Sequence, residues 1–495
     1  MTAAASRQHP AYDVAIVGLG PAGATLANLL ALRDVRTLVL EREADIYRLP
    51  RAIHFDGECM RVFQTVGVAG ELAGDLVVAP GMRFVDAQGR VLIDWQRPTE
   101  LGPQGWHASY RFHQPLLEKA LRRRLQRHGN VDVHLRHEVF AIEEQTGAAV
   151  LRCEDLATGR PMQVAARYVV GCDGARSLVR RLMGAELDDM RSHERWLVVD
   201  SVLKRERPDL GDHSIQFCDP VRPATYVRGV GARRRWELML LPGENASELD
   251  HPDRIWQLLS RWITPADAEL ERSAVYTFRS VVARGWRRGR LLIAGDAAHQ
   301  TPPFMGQGMC AGIRDASNLA WKLADVVAGK APASLLDTYE SERSPHVREF
   351  IETAVRLGAL IQTTDPEVAR RRDRDFAARP QVLHTPQPRL GPGAHDGGAA
   401  GAIGIQPRTP DGRLMDEAAG YRHALIAVPE VAPAARAVLR GRAALHVARD
   451  AGTRAWLDAL PARAALLRPD RYLAGVAQDA GHIAGLLDRH CAHIA

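Results

Sequence analysis

Lysine is nearly missing from this chain of 495 residues: Lys119, Lys204, Lys322 and Lys330 are its only ones, so the 65 basic residues are almost all arginine. They are spread along the sequence and offset by 59 acidic residues, which leaves a net charge of +6 and no basic tail of the kind that grips nucleic acid. So mild a positive field favours anionic small molecules. Cysteine is scarce as well. Cys59, Cys153, Cys172, Cys218, Cys310 and Cys491 lie far apart, with no C-x-x-C and no cysteine and histidine spacing for a metal. That argues against a disulfide framework and against zinc, and suits a reduced cytoplasm. No apolar run reaches the roughly 18 residues that would span a bilayer, and Met1 to Pro10 lacks a basic stretch followed by an apolar one. The expectation is a soluble, unprocessed cytoplasmic protein with no nucleic-acid or membrane partner. Hydrophobic residues at 46% and charged residues at 25% leave an ordinary globular composition, and the length suggests two to four domains at roughly 100–200 residues each.

Three segments stand out from this background. Tyr12-Asp-Val-Ala-Ile-Val-Gly18 is a β-branched run that ends in glycine; Leu19-Gly20-Pro21-Ala22-Gly23 and a helical stretch to Leu32 follow, then a second strand, Thr37 to Leu40, closed by Glu41 and Arg42. In such a βαβ unit the spacing G-x-G-x-x-G has physical meaning: a tight turn at Gly18, close backbone approach to a pyrophosphate at Gly20, and helix-on-strand packing at Gly23. The helix start offers free N–H groups to phosphates, and Glu41 can accept hydrogen bonds from an adenosine ribose. The unit alone does not separate FAD from NAD. A second strand, Arg167 to Cys172, breaks at Asp173-Gly174 and re-enters a helix at Leu178. The third segment is Gly289 to Ala294, ending in Gly295-Asp296 and followed by a glycine-rich loop, Pro302 to Gly308, and a long helix from near Met309 to Val327. It places a carboxylate at a strand end and aims a helix N-terminus into the same crevice.

Between the second and third segments the chain reads as strands: Trp196 to Leu203, His213 to Phe217, Ala224 to Val227, Arg235 to Leu241 and Ala274 to Phe278. They suggest a mainly antiparallel sheet that could wall a pocket. Gly229-Val-Gly231-Ala-Arg-Arg234 lacks a third glycine and reads as a hairpin turn, so no dedicated nicotinamide domain is visible. A helical region runs on from Arg343 to about Phe376, the Pro/Gly-rich stretch from Ala378 to Gly404 reads as a linker, and the alanine-rich remainder as a small α/β domain. There is no H-E-x-x-H and no facial-triad spacing, and His299 is read as an orienting histidine rather than a ligand, so no metal is expected.

Taken in order, G-x-G-x-x-G, D-G and G-D resemble the single-component flavoprotein aromatic hydroxylases, the family built around para-hydroxybenzoate hydroxylase and phenol hydroxylase. The likeness covers roughly residues 12–345. Pro50-Arg-Ala-Ile-His-Phe-Asp-Gly-Glu58, Tyr110-Arg-Phe-His-Gln-Pro-Leu-Leu-Glu118 and Gly295-Asp-Ala-Ala-His-Gln-Thr-Pro-Pro-Phe-Met-Gly-Gln-Gly308 look most like its 3-(3-hydroxyphenyl)propionate hydroxylase branch. The resemblance implies an α/β (α+β overall) fold. A Rossmann-like FAD-binding domain would occupy 1–184 and 281–376, with an inserted antiparallel substrate sheet at 185–280, a linker at 377–404 and a thioredoxin-like domain at 405–495. That last domain lacks C-x-x-C and is read as structural or oligomeric, which leaves a homodimer open.

Carried over residue by residue, the resemblance implies FAD phosphates at Gly18, Gly20, Pro21, Ala22 and Gly23, ribose at Glu41 beside Arg42, and further FAD contacts from Arg51 and Gln114. It places Asp296 on the ribityl chain and Asp173 in a region shared by FAD and the nicotinamide nucleotide. The implied cycle uses NADH or NADPH and O2. It forms a flavin C4a-hydroperoxide and hydroxylates a phenolic acid ortho to its hydroxyl, taking 3-(3-hydroxyphenyl)propionate to 3-(2,3-dihydroxyphenyl)propionate. The amides of Gly306, Gly308 and Met309 at a helix start would stabilise negative charge on the reduced flavin. For the phenol and its carboxylate arm, His54, Tyr226, Arg222 and Arg235 are candidates by residue type, against ordinary sheet and surface-pair roles for the latter three. Cys172 and Cys310 are read as buried fillers. A hydroxylase of a larger aromatic or polyketide, a flavin oxidase or dehydrogenase, and a flavin-binding regulatory protein remain as alternatives.

Overall fold

A computed structural model describes residues 11–491 except 49, 379, 380 and 382, and the side chains of 191 and 192 are also left aside. Met1 to Pro10 thus lie outside the described residues, as does part of the segment read as a linker.

Strand Tyr12–Val17, fully buried from Val14 to Ile16, lies inside an eight-stranded sheet. Continuous apolar strands of this kind belong in parallel sheets covered on both faces. It pairs in parallel with Thr37–Glu41 on one side and Arg160–Gly171 on the other, and Leu291–Ile293 adds in parallel beyond the latter. This order joins the three sequence motifs. The C-terminal ends of 12–17, 160–171 and 291–293 are neighbours, so Gly18, Asp173 and Asp296 open on one edge of the sheet, where ligands bind in open α/β folds. Helix Pro21–Ala31, started by Gly20 and Pro21, packs against helix Gly308–Val327 beside that edge.

A second eight-stranded sheet is built on the long strands Leu187–Leu203 and Ala268–Ala283, with Arg233–Met239, Ala224–Arg228 and Ser214–Phe217 following in antiparallel order. The strand-like runs read from sequence all fall in it, and 229–232 turn between two of its strands. It is not confined to 185–280, however. The hairpin Gly81–Val85 and Val91–Gln96 joins its edge through a parallel pairing with Ser214–Phe217, and strand 268–283 runs past the expected boundary. A parallel pairing between such distant segments leaves no local signal.

A small sheet of His54–Asp56, Ser109–Arg111 and Val77–Val78 lies between the two. After helices Thr338–Ile361 and Pro366–Ala378, residues 390–404 do not form a free linker. Gly391 N–H donates to Glu342 O and Asp396 N–H to Ala474 O, stitching the segment to the domains on either side. The last domain has four strands in the order Ala444–Val447, Ala424–Ala427, Ala464–Leu467, Leu473–Ala477, the first pair parallel and the others antiparallel, with helices between: a thioredoxin-like arrangement. Among the described residues no helix is long and apolar enough to cross a membrane.

Candidate functional site

The edge where the motifs meet is shaped as a cradle. Gly18 has φ +100°, and a Cβ there would stand 2.5 Å from Cys172 O; a Cβ on Gly23 would stand 2.1 Å from Gly18 O. Both positions therefore require glycine. Gly20, in contrast, faces open space, and no side chain caps the helix it starts, so the N–H groups of its first turn are free. Helix Gly308–Val327 also begins uncapped, and Gly308 likewise faces open space. The two helix starts are brought together by a contact that sequence reading missed: a Cβ on Gly312 would lie 3.2 Å from Gly295 Cα and 3.3 Å from Ala22 Cβ. Two uncapped helix N-termini on one cleft make an anion site, and they fit the pyrophosphate and the pyrimidine edge of FAD.

The acidic residues stand at the rim of this cradle in different settings. Glu41 Oε2 accepts from Leu19 N–H at 2.7 Å and Oε1 from Glu43 N–H at 2.9 Å, which holds the carboxylate beside the glycine turn. Arg42 points to solvent and pairs with Glu43 at 3.2 Å. Asp173 Oδ2 accepts from Leu178 N–H and Val179 N–H, while its buried Oδ1 has no partner. Asp296 is open to solvent, yet the surrounding protein pushes its carboxyl pKa up, the mark of a residue on the wall of a deep cleft. Gln114 Oε1 accepts from Arg51 N–H and Ala52 N–H and its Nε2 donates to Glu118, so it fixes the 51–52 loop. Arg51 itself is exposed, its guanidinium 5.4 Å from the Tyr47 ring centre.

His54 lies at the centre of a second cluster. By register His54 faces Arg111 and Asp56 faces Ser109, so all four share one side of the small sheet, while Phe55 and Tyr110 fill the core on the other. His54 Nε2 lies 2.8 Å from Ser109 Oγ and 2.6 Å from Arg97 Nη1, and its Nδ1 lies 3.3 Å from Gly306 O. A guanidinium only donates, so Nε2 carries the lone pair and Nδ1 the proton that reaches Gly306. Burial, then Arg97, depress the His54 pKa to about 3, which keeps the ring neutral. Arg97 and Arg111 are both buried, and burial lowers each to about 10. Among the described residues neither has an ion pair: Arg97 reaches Ser109 Oγ at 2.8 Å and leaves Nε without a partner, and Arg111 donates to Asp212 O. Asp56 attracts Arg97 only from beyond ion-pair distance, and two buried cations without a directly bonded carboxylate are costly unless a ligand supplies one.

The other sequence candidates lie elsewhere. Arg222 forms a two-pronged pair with Glu244 at 2.6 Å. Arg235 is no surface pair; it is buried, bonded to Asp200 at 2.6 Å and to Pro50 O and Arg51 O, and so clamps the large sheet to the loop before His54. Tyr226 packs its ring 5.2 Å from Trp236 on the face of the sheet opposite Thr225 and Glu237, and its phenol lies within reach of the charges of Arg234 and Arg111, the latter the register partner of His54. Its buried hydroxyl has no partner. His299 is buried and pairs with Asp315 at 2.6 Å; Asp315 also accepts from Gly295 N–H and Arg343, so the histidine braces the Gly295-Asp296 turn. Cys310 is buried and Cys172 half-buried. Asp56, Cys59 and Cys310 offer ligand atoms within 4.8 Å of one another. Burial opposes the charge on Asp56, but the Arg314 guanidinium outweighs it and holds the pKa at about 2; burial also keeps the Cys59 thiol protonated, which disfavours a metal there.

Arg97, Ser109, Arg111 and Arg314 were not candidates from sequence. Arg111 had a signal, since it alternates with the apolar Tyr110 and Phe112. Arg97 follows an edge strand of the large sheet, and only folding carries it to the small one.

This combination of a parallel sheet opening on two bare helix starts, a wall of antiparallel strands and a buried cationic cluster defines an FAD-dependent hydroxylase. The chain belongs to the FAD binding domain family, whose model matches residues 11–354. Its relatives include a protein of Rhodococcus jostii (strain RHA1) named a probable NADH-specific resorcinol 4-hydroxylase, 40% identical over 98% of this chain and 96% of the relative. Another is a 3-(3-hydroxy-phenyl)propionate/3-hydroxycinnamic acid hydroxylase of Mycolicibacterium gilvum (strain PYR-GCK), 38% identical over 84% of this chain and 75% of that one. The fold matches the flavin-dependent monooxygenase PieE, solved with FAD and substrate, at a TM-score of 0.82 and 23% identity over 97% of this chain and 98% of that one. Aklavinone-11 hydroxylase, solved with FAD and aklavinone, matches at 0.81 and 23% over 98% and 99%.

Proposed function

We propose that this enzyme hydroxylates a phenol ortho to its hydroxyl group with NADH or NADPH and O2, and that the phenol carries an anionic arm, as 3-(3-hydroxyphenyl)propionate does; the product would be 3-(2,3-dihydroxyphenyl)propionate. The observation that carries the reading is the pair of buried arginines, Arg97 and Arg111, neither of which has a carboxylate partner among the described residues. A carboxylate or phenolate bound there would form charge-assisted hydrogen bonds and relieve the cost of the two cations. Bound FAD supplies hydride acceptance and oxygen activation. The chain binds and orients: the amides of Gly20, Ala22, Gly23 and Gly308 hold the cofactor's anionic parts, Glu41 stands at the adenosine end, and neutral His54 lines the phenol pocket without adding charge while the Ser109 hydroxyl exchanges hydrogen bonds there.

A second reading, resorcinol as substrate, is favoured by the match to the Rhodococcus protein along nearly the whole of both chains. Resorcinol has no carboxylate, so the two readings differ in what Arg97 and Arg111 hold.

The test is NADH and NADPH oxidation by the FAD-loaded enzyme with each of the two phenols and with neither, with the product analysed for an added hydroxyl. Stimulation and a catechol from 3-(3-hydroxyphenyl)propionate support the first reading, and hydroxylation of resorcinol alone selects the second. No stimulation by either removes both.

A further inference from the structure

The thioredoxin-like domain has no redox motif, yet one of its side chains reaches the active site's supports. Tyr472, just before strand Leu473–Ala477, is buried and donates its hydroxyl to Glu58 Oε1 at 2.7 Å. Burial keeps this phenol protonated, so it remains a donor. His346 Nε2 lies 3.2 Å from the same oxygen, and burial holds that imidazole neutral. The single hydroxyl proton is used on Glu58, so His346 presents Nε2–H to the tyrosine oxygen.

Glu58 passes the contact on. Its Oε2 accepts from Arg314 Nε at 2.6 Å, and Arg314 Nη2 donates to Asp56 Oδ2 at 2.6 Å and Nη1 to Gln307 Oε1 at 3.1 Å. Gln307 starts the helix whose first amides face the cofactor cleft, and Asp56 is two residues from His54 on the same face of the small sheet. Arg314 is buried, and each of its three nitrogens bonds one of these partners. One guanidinium therefore sets the spacing between the Gly306-Gln307-Gly308 loop and the His54 strand, and its third partner, Glu58, is oriented by a residue of the last domain.

We infer that Tyr472 is a positioning residue: through Glu58 and Arg314, the C-terminal domain fixes the distance between the flavin-facing helix start and the phenol pocket. Losing the hydroxyl leaves Glu58 Oε1 free to turn and Arg314 free to shift, and small displacements at a reacting site have large effects on geometry-dependent steps. The inference rests on the aromatic hydroxylase reading, and its test keeps the two apart.

The test compares wild type, Tyr472→Phe and Asp416→Asn in FAD-loaded enzyme. Asp416 pairs with Arg61 at 2.6 Å and with Arg471 at 3.1 Å in the same domain junction, and makes no hydrogen bond to Tyr472, Glu58 or Arg314. Three quantities are read: hydroxylated product per NADH consumed, the substrate-induced shift of the flavin absorbance band, and the melting temperature. Tyr472→Phe should lower product per NADH about threefold or more, with peroxide released instead, and should alter the absorbance shift at an unchanged melting temperature. Asp416→Asn should lower the melting temperature and leave the coupling ratio and the absorbance shift as in wild type. Wild-type coupling and absorbance in Tyr472→Phe would overturn the inference, and so would equal uncoupling in both variants, which would mean that docking alone matters. If wild type hydroxylates neither phenol, the functional reading fails, and the absorbance shift with a bound aromatic still decides the role of Tyr472.

Discussion

Arg97 Nη1 and His54 Nε2 stand 2.6 Å apart, a buried guanidinium directed at the lone pair of a neutral imidazole. The guanidinium comes from the end of the large sheet's edge hairpin and the imidazole from the small sheet, so the contact ties the two sheets together. It also fixes which ring nitrogen is free of a proton.

Replacing Arg97 with Met should weaken binding of a phenolic acid by roughly 10- to 150-fold, the equivalent of losing one hydrogen bond to a charged group at about 1.5–3 kcal/mol. Arg97→Lys should restore only part of this, because an ammonium lacks the planar fork. Titrating the flavin absorbance with substrate measures both. FAD retention should stay at the wild-type level, and resorcinol binding should change less than binding of the acid.

Two glycines in the cradle should respond in opposite ways. Gly308 has open space before it, so Gly308→Val should fold normally yet retain FAD poorly and reduce it more slowly, a result read by cofactor content and stopped-flow reduction. A Cβ at Gly23 would stand 2.1 Å from Gly18 O, so Gly23→Ala should disrupt the turn and lower stability even without FAD. Unchanged reduction in Gly308→Val would argue that this helix start does not act on the flavin.

Arg235 and Arg222 should separate by burial. Removing Arg235 leaves Asp200 buried with Arg272 as its remaining partner, so Arg235→Ala should cost about 1.5–3 kcal/mol in denaturant unfolding. Arg222→Ala breaks a partly exposed pair and should cost less than about 1 kcal/mol. A large loss of substrate affinity with stability intact, in either variant, would return that arginine to the substrate site.

The buried histidines set a direction for acid stability. His423 has its pKa depressed by burial to about 3 and His346 well below the ordinary 6.5, so between those values the unfolded chain binds protons that the folded one refuses. Stability is then complete above pH 6.5 and falls as the pH drops, by up to about 1.4 kcal/mol per pH unit for each histidine. Melting temperatures at pH 7.5 and 5 check this, and equal values would contradict it. By the same reasoning the rate profile should show no limb near pH 6.5 from His54.

Much of the cofactor cradle was legible in the sequence because it is local. Gly18, Gly20, Gly23 and Glu41 lie within one βαβ unit, where turn geometry and helix starts are dictated by neighbours in the chain. The strand-like runs from Trp196 onward were legible for the same reason, through their alternation. Gln114 was read from the resemblance, and Arg235 and Tyr226 from residue type and from their place near family-like segments; neither says which way a side chain points or what already binds it.

The sequence by itself determined that a dinucleotide turn exists, that two further strands end in Asp173 and Asp296, and that an antiparallel sheet lies between them. Only the tertiary structure decided that these three ends are adjacent, since strand order depends on long-range pairing that no local pattern encodes. It also decided the pocket. Arg97, His54 and Arg111 meet because two sheets pack at one place, and Tyr472 meets Glu58 because a separate domain docks there. Both outcomes follow from burial of apolar faces, which fixes where polar groups end up without specifying them in advance.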